Sequence, residues 1–141
     1  MIFKIEGKIK SKDRPRTNFK TNAIYTPKAT KDYEKKIRKE IEGIKLNGAI
    51  SIELECHFCL PKNTSKKKRI ELLGKPCLKT PDLDNIEKIY LDAFNKVLYD
   101  DDKQVYRMSA TKIWDNEEFV ICKIGEKNNE WRRWSLENNR W

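Results

Sequence analysis

Three aspartates around one strongly patterned segment are the residues of this chain best suited to chemistry. Asp82 and Asp84 flank one leucine ahead of an amphipathic stretch, and Asp102 lies beyond its far end. Carboxylate oxygens are the hard ligands that Mg²⁺ prefers, and this ion takes few protein ligands. If the strand after Asp102 runs back beside the segment before Asp82, the three carboxylates converge and hold one or two ions. Two such ions about 3.5–4 Å apart would clamp an in-line phosphoryl displacement.

Lys88 is a candidate for the same site, since it lies one helical turn beyond Asp84 on the polar side. A lysine beside a metal cluster can orient the attacking water or offset charge that develops on a phosphate. Each residue also has an ordinary explanation. Asp84 can be the N-cap of a helix, with Glu87 completing a capping box. The acidic run at 100–102 can be a solvated turn, and Lys88 can form a surface ion pair with Asp84 or Asp92 that is worth little.

The charge of the chain indicates a polyanionic partner. Its 31 Lys and Arg residues exceed its 22 Asp and Glu residues, which gives a formal net charge of +9. The positive charges are clustered, as expected of a protein that neutralises phosphates and releases counterions. Bound metal ions would let a few carboxylates face such a partner. The side chains that we expect to contact nucleic acid are Lys12, Arg14, Arg16, Lys20, Lys28 and Lys79.

Neither a membrane partner nor a zinc site is predicted. No stretch reaches the length of an apolar span and no signal pattern opens the chain, so we expect a cytoplasmic protein. Cys56 and Cys59 form a C-x-x-C motif. However, apolar residues alternate with polar ones through 50–60, which predicts a half-buried strand whose residues three apart face opposite sides. Free thiols in a reducing compartment are therefore expected.

The elements that must position the aspartates follow from hydrophobic periodicity. The clearest is a helix that begins after Asp84 and carries apolar residues through Leu98, before the acidic run. Together the elements predict an α+β fold, a single compact domain with a mixed β-sheet and helices packed on it. The other predicted elements are a strand at 3–9, a helix capped by Thr30 and ended at 47–48, a strand at 50–60, a short helix at 65–73 closed by Gly74, and a hairpin of strands 104–114 and 118–124.

Two segments show no regular period. Residues 10–29 are basic and irregular, which is uncommon inside a compact domain unless the segment is functional or mobile. The end of the chain, 128–141, is rich in Trp and Arg. Its aromatic residues could stack on unpaired bases, but packing on the domain or at an interface is the more common role. The predicted division is thus a compact domain at 1–127 and a tail at 128–141.

The motif around the aspartates resembles the signature of the RusA family of Holliday junction resolvases. That signature is P-D-x-D-N-x-x-K-x-x-x-D-A-L followed by D-D-x-Q-V. Several fixed residue types in two blocks give it specificity, and the basic region upstream resembles the family more loosely. The matching positions here are Pro81, Asp82, Asp84, Asn85, Lys88, Asp92, Ala93, Asp101, Asp102, Gln104 and Val105.

The resemblance implies a homodimeric endonuclease that uses Mg²⁺, with Mn²⁺ as a possible substitute, to nick four-way DNA junctions symmetrically in recombination and repair. It further implies that Asp82, Asp84 and Asp102 are metal ligands and that Lys88 is the catalytic lysine, with Asn85 and Asp92 mainly architectural. A two-fold dimer would match two equivalent scissile phosphates. Relatives are often encoded by prophages.

The chain departs from the family pattern in three places. Phe94 stands where the family usually has leucine, and the Trp-rich tail has no family counterpart that we know. The acidic run is one residue longer than usual, so Asp100 or Asp101 could replace Asp102 as ligand.

Two other functions remain open. Pro81-Asp82 with Asp101-Asp102-Lys103 satisfies the short PD-(D/E)xK nuclease pattern, which would make Lys103 rather than Lys88 catalytic. Alternatively, the basic surface could belong to a branched-DNA-binding module without catalytic activity. Such a module would bind junctions without cutting them.

Overall fold

Ten elements make up the part of the chain that the computed structural model describes, residues 1–12 and 14–127. The predicted short helix is present, and the Ser65 hydroxyl caps it by accepting a hydrogen bond of 3.2 Å from the Lys68 amide. In chain order the elements are β1 (Ile2–Glu6), β2 (Arg16–Asn18), β3 (Ala23–Tyr25), α1 (Lys28–Glu40), β4 (Ala49–Cys59), α2 (Lys66–Leu72), α3 (Leu83–Phe94), a 3-10 turn (Asp102–Gln104), β5 (Val105–Asp115) and β6 (Phe119–Lys127).

The strand β4 organises the main sheet, whose order is β1-β6-β4-β5. Its alternate residues from Ile50 to Phe58 are buried, as the sequence pattern predicts. β4 pairs in parallel with β5 and antiparallel with β6. The mixed sheet with helices on it confirms the predicted α+β fold in a single compact domain.

The predicted hairpin of the last two strands is wrong, because β4 lies between β5 and β6. The short link at 116–118 crosses the end of β4, where the Cys59 amide donates a hydrogen bond of 3.4 Å to the Glu118 carboxylate. A short connection between two strands usually means a hairpin. Here β4 is buried and pairs with a strand along each of its edges, and this long-range pairing takes the place of direct pairing between β5 and β6.

Helices α1 and α3 cover one face of the sheet. Ile37 of α1 and Ile86, Ile89 and Tyr90 of α3 are all fully buried. Burial of each such side chain contributes about 1.5–3 kcal/mol to folding. The hydroxyl groups of Tyr33 and Tyr90 lie 2.9 Å apart between the two helices, so these two buried polar groups satisfy each other.

The predicted ends of α1 are wrong. The helix begins at Lys28, directly after Pro27, so the buried Thr30 lies inside its first turn and is not its cap. It ends at Glu40, before the predicted stop at 47–48. Gly43 has a φ of +76°, a left-handed backbone conformation that glycine adopts without strain and that a continuing helix does not allow.

Two further predictions concern residues away from the helices. Cys56 is buried and Cys59 is partly exposed on the other side of β4, as predicted, and both thiols are free. Within residues 10–29 the structure has the small β2–β3 hairpin, which the sequence pattern does not indicate.

Among the described residues, no helix is long and apolar enough to span a bilayer. The predicted tail at 128–141 lies outside the described residues.

Candidate active site

Asp82 and Asp84 lie at the N-terminus of α3, and neither carboxylate has a hydrogen-bond or ion-pair partner among residues 1–12 and 14–127. Asp82 occupies the N-cap position in an extended conformation, but its side chain makes no capping hydrogen bond. Asp84 lies in the first turn, where the helix dipole favours a negative charge. The prediction that Asp84 is the N-cap, with Glu87 completing a capping box, is therefore wrong, since the helix begins two residues earlier. Neither carboxylate is used to cap the helix.

Lys112 of β5 fixes the loop that precedes Asp82. Its ammonium donates a hydrogen bond of 2.8 Å to the Pro81 carbonyl and another to the Lys79 carbonyl. The backbone of 74–77 also pairs with 112–114 of β5. Sequence reasoning missed Lys112. The sequence feature that could have identified it is a lysine at a core-facing position of a predicted strand. In the structure it lies beside the buried Cys56 of β4.

A basic cavity of about 510 Å³ adjoins this end of α3. Asp82 and Asn85 line it, together with the predicted Lys79. Lys8 and Lys10 also line it, although neither is among the predicted phosphate contacts. The cavity therefore combines one carboxylate with several cations, an arrangement suited to a phosphate group accompanied by a metal ion.

Lys88 is exposed one turn beyond Asp84. Within residues 1–12 and 14–127, the side chains of Asp82, Asp84 and Lys88 form no ion pair or hydrogen bond, so the ordinary surface pair between Asp84 and Lys88 is absent. Burial raises the pKa of Glu87, and the nearby charge of Asp84 raises it further. The charges of Asp84 and Glu87 thus lie close enough to influence each other at this end of the helix.

Asp102 lies at the other end of β5, next to the buried Tyr99. The Tyr99 hydroxyl donates a hydrogen bond of 2.8 Å to Asp102 Oδ1. Burial raises the pKa of Tyr99 and the contact with Asp102 raises it further, so the phenol keeps its proton and acts as the donor. This leaves the second carboxylate oxygen of Asp102 available.

The two neighbouring aspartates are already occupied. Asp101 Oδ1 accepts a hydrogen bond of 2.9 Å from the Lys103 amide, and the Gln104 side chain completes a capping box with the Asp101 amide. Asp100 pairs with Lys45 at 2.8 Å. Asp102 differs from both, because its contact is with the neutral hydroxyl of Tyr99 rather than with a lysine or a capped backbone amide.

Asp82 and Asp102 are far apart within one chain. Asp82 lies with Lys112 near the end of β5, whereas Asp102 precedes the first residue of that strand. At about 3.3 Å per residue, the intervening strand separates them by on the order of 20 Å. Among the described residues, no group of three or more His, Cys, Asp or Glu side chains could hold a metal ion. The predicted convergence is thus wrong for a single chain: β5 runs beside the segment before Asp82 only through its last residues. The three donors suit Mg²⁺ chemically, but one chain does not assemble them.

Lys12 has a structural position rather than the predicted contact with nucleic acid. Its ammonium lies 2.7 Å from Glu34 and 3.1 Å from Asp92, and its side chain is only 17% exposed. Its backbone amide donates a hydrogen bond of 3.0 Å to the Asn85 carbonyl. These contacts join the segment before β2 to α1 and α3. Asp92 takes part through its carboxylate, whereas Asn85 takes part only through its backbone carbonyl.

The other predicted phosphate contacts lie on the surface. Arg14, Arg16 and Lys20 are exposed around the β2–β3 hairpin, and Lys28 is exposed at the first position of α1. Lys79 is exposed beside Asp82. In the described part of the chain, none of these side chains forms an ion pair, so their charges are available to a polyanion.

Comparison with known proteins identifies the family. The family model described as endodeoxyribonuclease RusA matches residues 6–125, which is most of the chain. The chain therefore belongs to the RusA family of endodeoxyribonucleases, enzymes that hydrolyse phosphodiester bonds within DNA. It is also similar to the uncharacterized protein YqaN of Bacillus subtilis (strain 168), with 27% identity over 135 residues that cover 88% of this chain and 94% of that protein.

Proposed function

We propose that this endodeoxyribonuclease resolves four-way DNA junctions by paired, symmetric nicks during recombination and repair, with Mg²⁺ as cofactor and Mn²⁺ as a substitute. The observation that carries the proposal is the uncommitted pair Asp82 and Asp84 at the N-terminus of α3, beside a cavity lined by Lys8, Lys10 and Lys79. Carboxylates among cations suit a metal-dependent reaction on a polyanion. A prophage origin and a cytoplasmic location are part of the same proposal.

Each candidate residue has a separate role in this proposal. Asp82, Asp84 and Asp102 would together hold the metal ion, which would supply Lewis-acid stabilisation of the scissile phosphate when bound. Asp102 is preferred over Asp100 and Asp101 because its contact is with a neutral hydroxyl, whereas Asp100 pairs with a lysine and Asp101 caps the 3-10 turn. The unpaired ammonium of Lys88 offsets the negative charge that develops on the phosphate oxygens.

A homodimer would reunite the divided carboxylates. Every second residue of β5 points its backbone N–H and C=O groups toward the outer edge of the sheet. At residues 112 and 114 these groups form hydrogen bonds with the backbone of 74–77. Within the described ranges, the backbone N–H and C=O groups of Met108 and Ala110 have no hydrogen-bond partner on that edge. Antiparallel pairing of this edge with its own copy would lay the start of one β5 beside the end of the other. Asp102 of one copy would then approach Asp82 of the second, giving two equivalent sites related by a two-fold axis.

The PD-(D/E)xK alternative receives less support. Its second acidic residue, Asp101, already caps the 3-10 turn by accepting a hydrogen bond from the Lys103 amide. The alternative of a DNA-binding module without catalytic activity relies on the same exposed cations. Both functions predict binding to junctions, and only the proposed nuclease also cuts them.

The test is cleavage of a synthetic four-way junction labelled on each strand in turn, with and without Mg²⁺. We expect paired nicks at symmetric positions that Asp84→Asn, Asp102→Asn and Lys88→Ala each abolish while junction binding persists. Asp32→Asn is the matched control, because Asp32 is an exposed aspartate on α1. Lys103→Ala should remain active. An intact junction in every divalent metal, or nicks that survive both aspartate substitutions, would refute the proposal.

A further inference from the structure

The β2–β3 hairpin stands apart from the main sheet and exposes apolar side chains. Its strands pair with each other through 16–18 and 23–25, in a separate two-stranded sheet. Phe19 in the connecting turn is 94% exposed and Ile24 is 76% exposed. A lone hairpin is marginally stable in water, and a large apolar side chain held in solvent gives no folding benefit. The described part of the chain therefore gives Phe19 no packing role, which leaves its ring available to a partner.

The charge around the hairpin selects the kind of partner. The segment 14–28 contains no Asp or Glu, and it carries Arg14, Arg16, Lys20 and Lys28. One concave side of the hairpin is lined by aromatic and cationic residues, including Phe19, Arg16 and Lys20. Aromatic rings among cations are typical of surfaces that stack on bases and bind the adjoining phosphates. The same hairpin of a second copy would be repelled by its like charge.

Both ends of the hairpin segment adjoin the candidate active site. It leaves the domain at Lys12, whose amide binds the Asn85 carbonyl of α3. It returns at the buried Pro27, and the adjacent Ala29 and Thr30 line the same cavity as Asp82. The hairpin segment therefore begins and ends at the rim of that cavity, and DNA bound along the segment would reach that rim.

We infer that Phe19 stacks on an unpaired base at the branch point of the junction, while Arg16 and Lys20 hold the phosphates on either side. In a continuous duplex every base is already stacked, so insertion of a side chain requires unstacking. At a branch point the stack is already interrupted, and Phe19 can occupy the gap. The hairpin thereby provides the preference for branched over continuous DNA. This inference rests on the proposed action on junctions.

The test uses metal-free protein with junctions that carry 2-aminopurine either at the branch point or within an arm. Wild-type protein should change the fluorescence of the branch probe and leave the arm probe unchanged. Phe19→Ala should abolish that change and reduce the preference for junction over duplex by about 10–100-fold, and Phe19→Trp should preserve both. Ile70→Ala is the control, since Ile70 is 79% exposed on α2, outside the hairpin. Arg16→Ala should weaken binding to both DNAs and reduce the salt slope by about 1.

A folded Phe19→Ala protein that keeps both the branch-probe signal and the junction preference would overturn the inference. So would a Phe19→Ala protein that sediments as a monomer where the wild type is a dimer, because the hairpin would then be a contact between subunits. Wild-type protein that gives the branch-probe signal but cuts no junction with Mg²⁺ would refute the proposed junction cleavage while still supporting base stacking by Phe19.

Discussion

The buried hydroxyl of Tyr99 donates a hydrogen bond of 2.8 Å to Asp102 Oδ1. Because the ring of Tyr99 is fully buried, the contact fixes one oxygen of Asp102 relative to the core and leaves the other available. Partners that orient a metal ligand in this way commonly change metal affinity or activity by about 10–100-fold. Tyr99 is therefore a positioning residue for the candidate site.

Tyr99→Phe should slow junction cleavage by about 10–100-fold, as expected when a metal ligand loses its orienting partner. The cost to the free energy of unfolding should be about 1 kcal/mol. Single-turnover cleavage and urea unfolding measure the two effects. Tyr33→Phe removes another buried hydroxyl contact, to Tyr90, and should affect stability alone. Equal cleavage rates in the two variants would contradict a positioning role for Tyr99.

Lys112→Met should release the loop before Asp82, because the ammonium that binds the Pro81 and Lys79 carbonyls is lost. We expect slower cleavage, faster hydrogen exchange of the amides at 79–82, and a loss of about 1–2 kcal/mol in the free energy of unfolding. Lys123→Met is the control, since Lys123 forms a surface pair with Glu55 on the other face of the sheet. Unchanged cleavage in Lys112→Met would exclude a role for this anchor.

Lys12→Met should destabilise the fold by about 2 kcal/mol, since it leaves Glu34 and Asp92 without their shared cation. The salt dependence of DNA binding by the folded variant should equal that of the wild type. Arg16→Ala should show the reverse, with unchanged stability and a smaller salt slope. A reduced salt slope in Lys12→Met would instead restore Lys12 as a phosphate contact.

Thiol reactivity should distinguish Cys59 from the other three cysteines. Burial raises the pKa of Cys56 to about 12, only partly offset by Lys112, and burial also raises the pKa of Cys122. Cys77 is buried as well, whereas Cys59 is partly exposed. At pH 8 a thiol reagent should modify Cys59 in the native protein and all four cysteines after unfolding. Cys59→Ser should remove the native reaction. A second reactive native thiol would show that the core is more open than described.

The parts of the fold with a local sequence signal could be predicted. The apolar period of α3 and the alternation in β4 arise from burial of one face, so each is visible in a short window. The partners of β5 could not be predicted, because they depend on residues about fifty positions away along β4. For the same reason the sequence did not distinguish Lys12, which binds Glu34 in the interior, from the exposed Arg16.

The candidate site was predictable in its composition but not in its geometry. The spacing of Asp82, Asp84 and Lys88 identifies the family signature, and family membership is confirmed by the match over 6–125. The separation of Asp102 from Asp82 depends on which part of β5 pairs with 74–77. Which residues of β5 pair with this segment leaves no pattern of residue types or spacings in a single sequence.

We propose that Asp84 and Asp102 act in one active site whose parts come from two copies of the chain. The most direct measurement mixes Asp84→Asn with Asp102→Asn protein, exchanges the subunits, and assays nicking of a four-way junction with Mg²⁺. In a mixed dimer one of the two sites would contain only unaltered residues. We predict that each variant alone is inactive and that the mixture regains nicking at one site per dimer. A mixture as inactive as its components, or substantial nicking by either variant alone, would contradict the account.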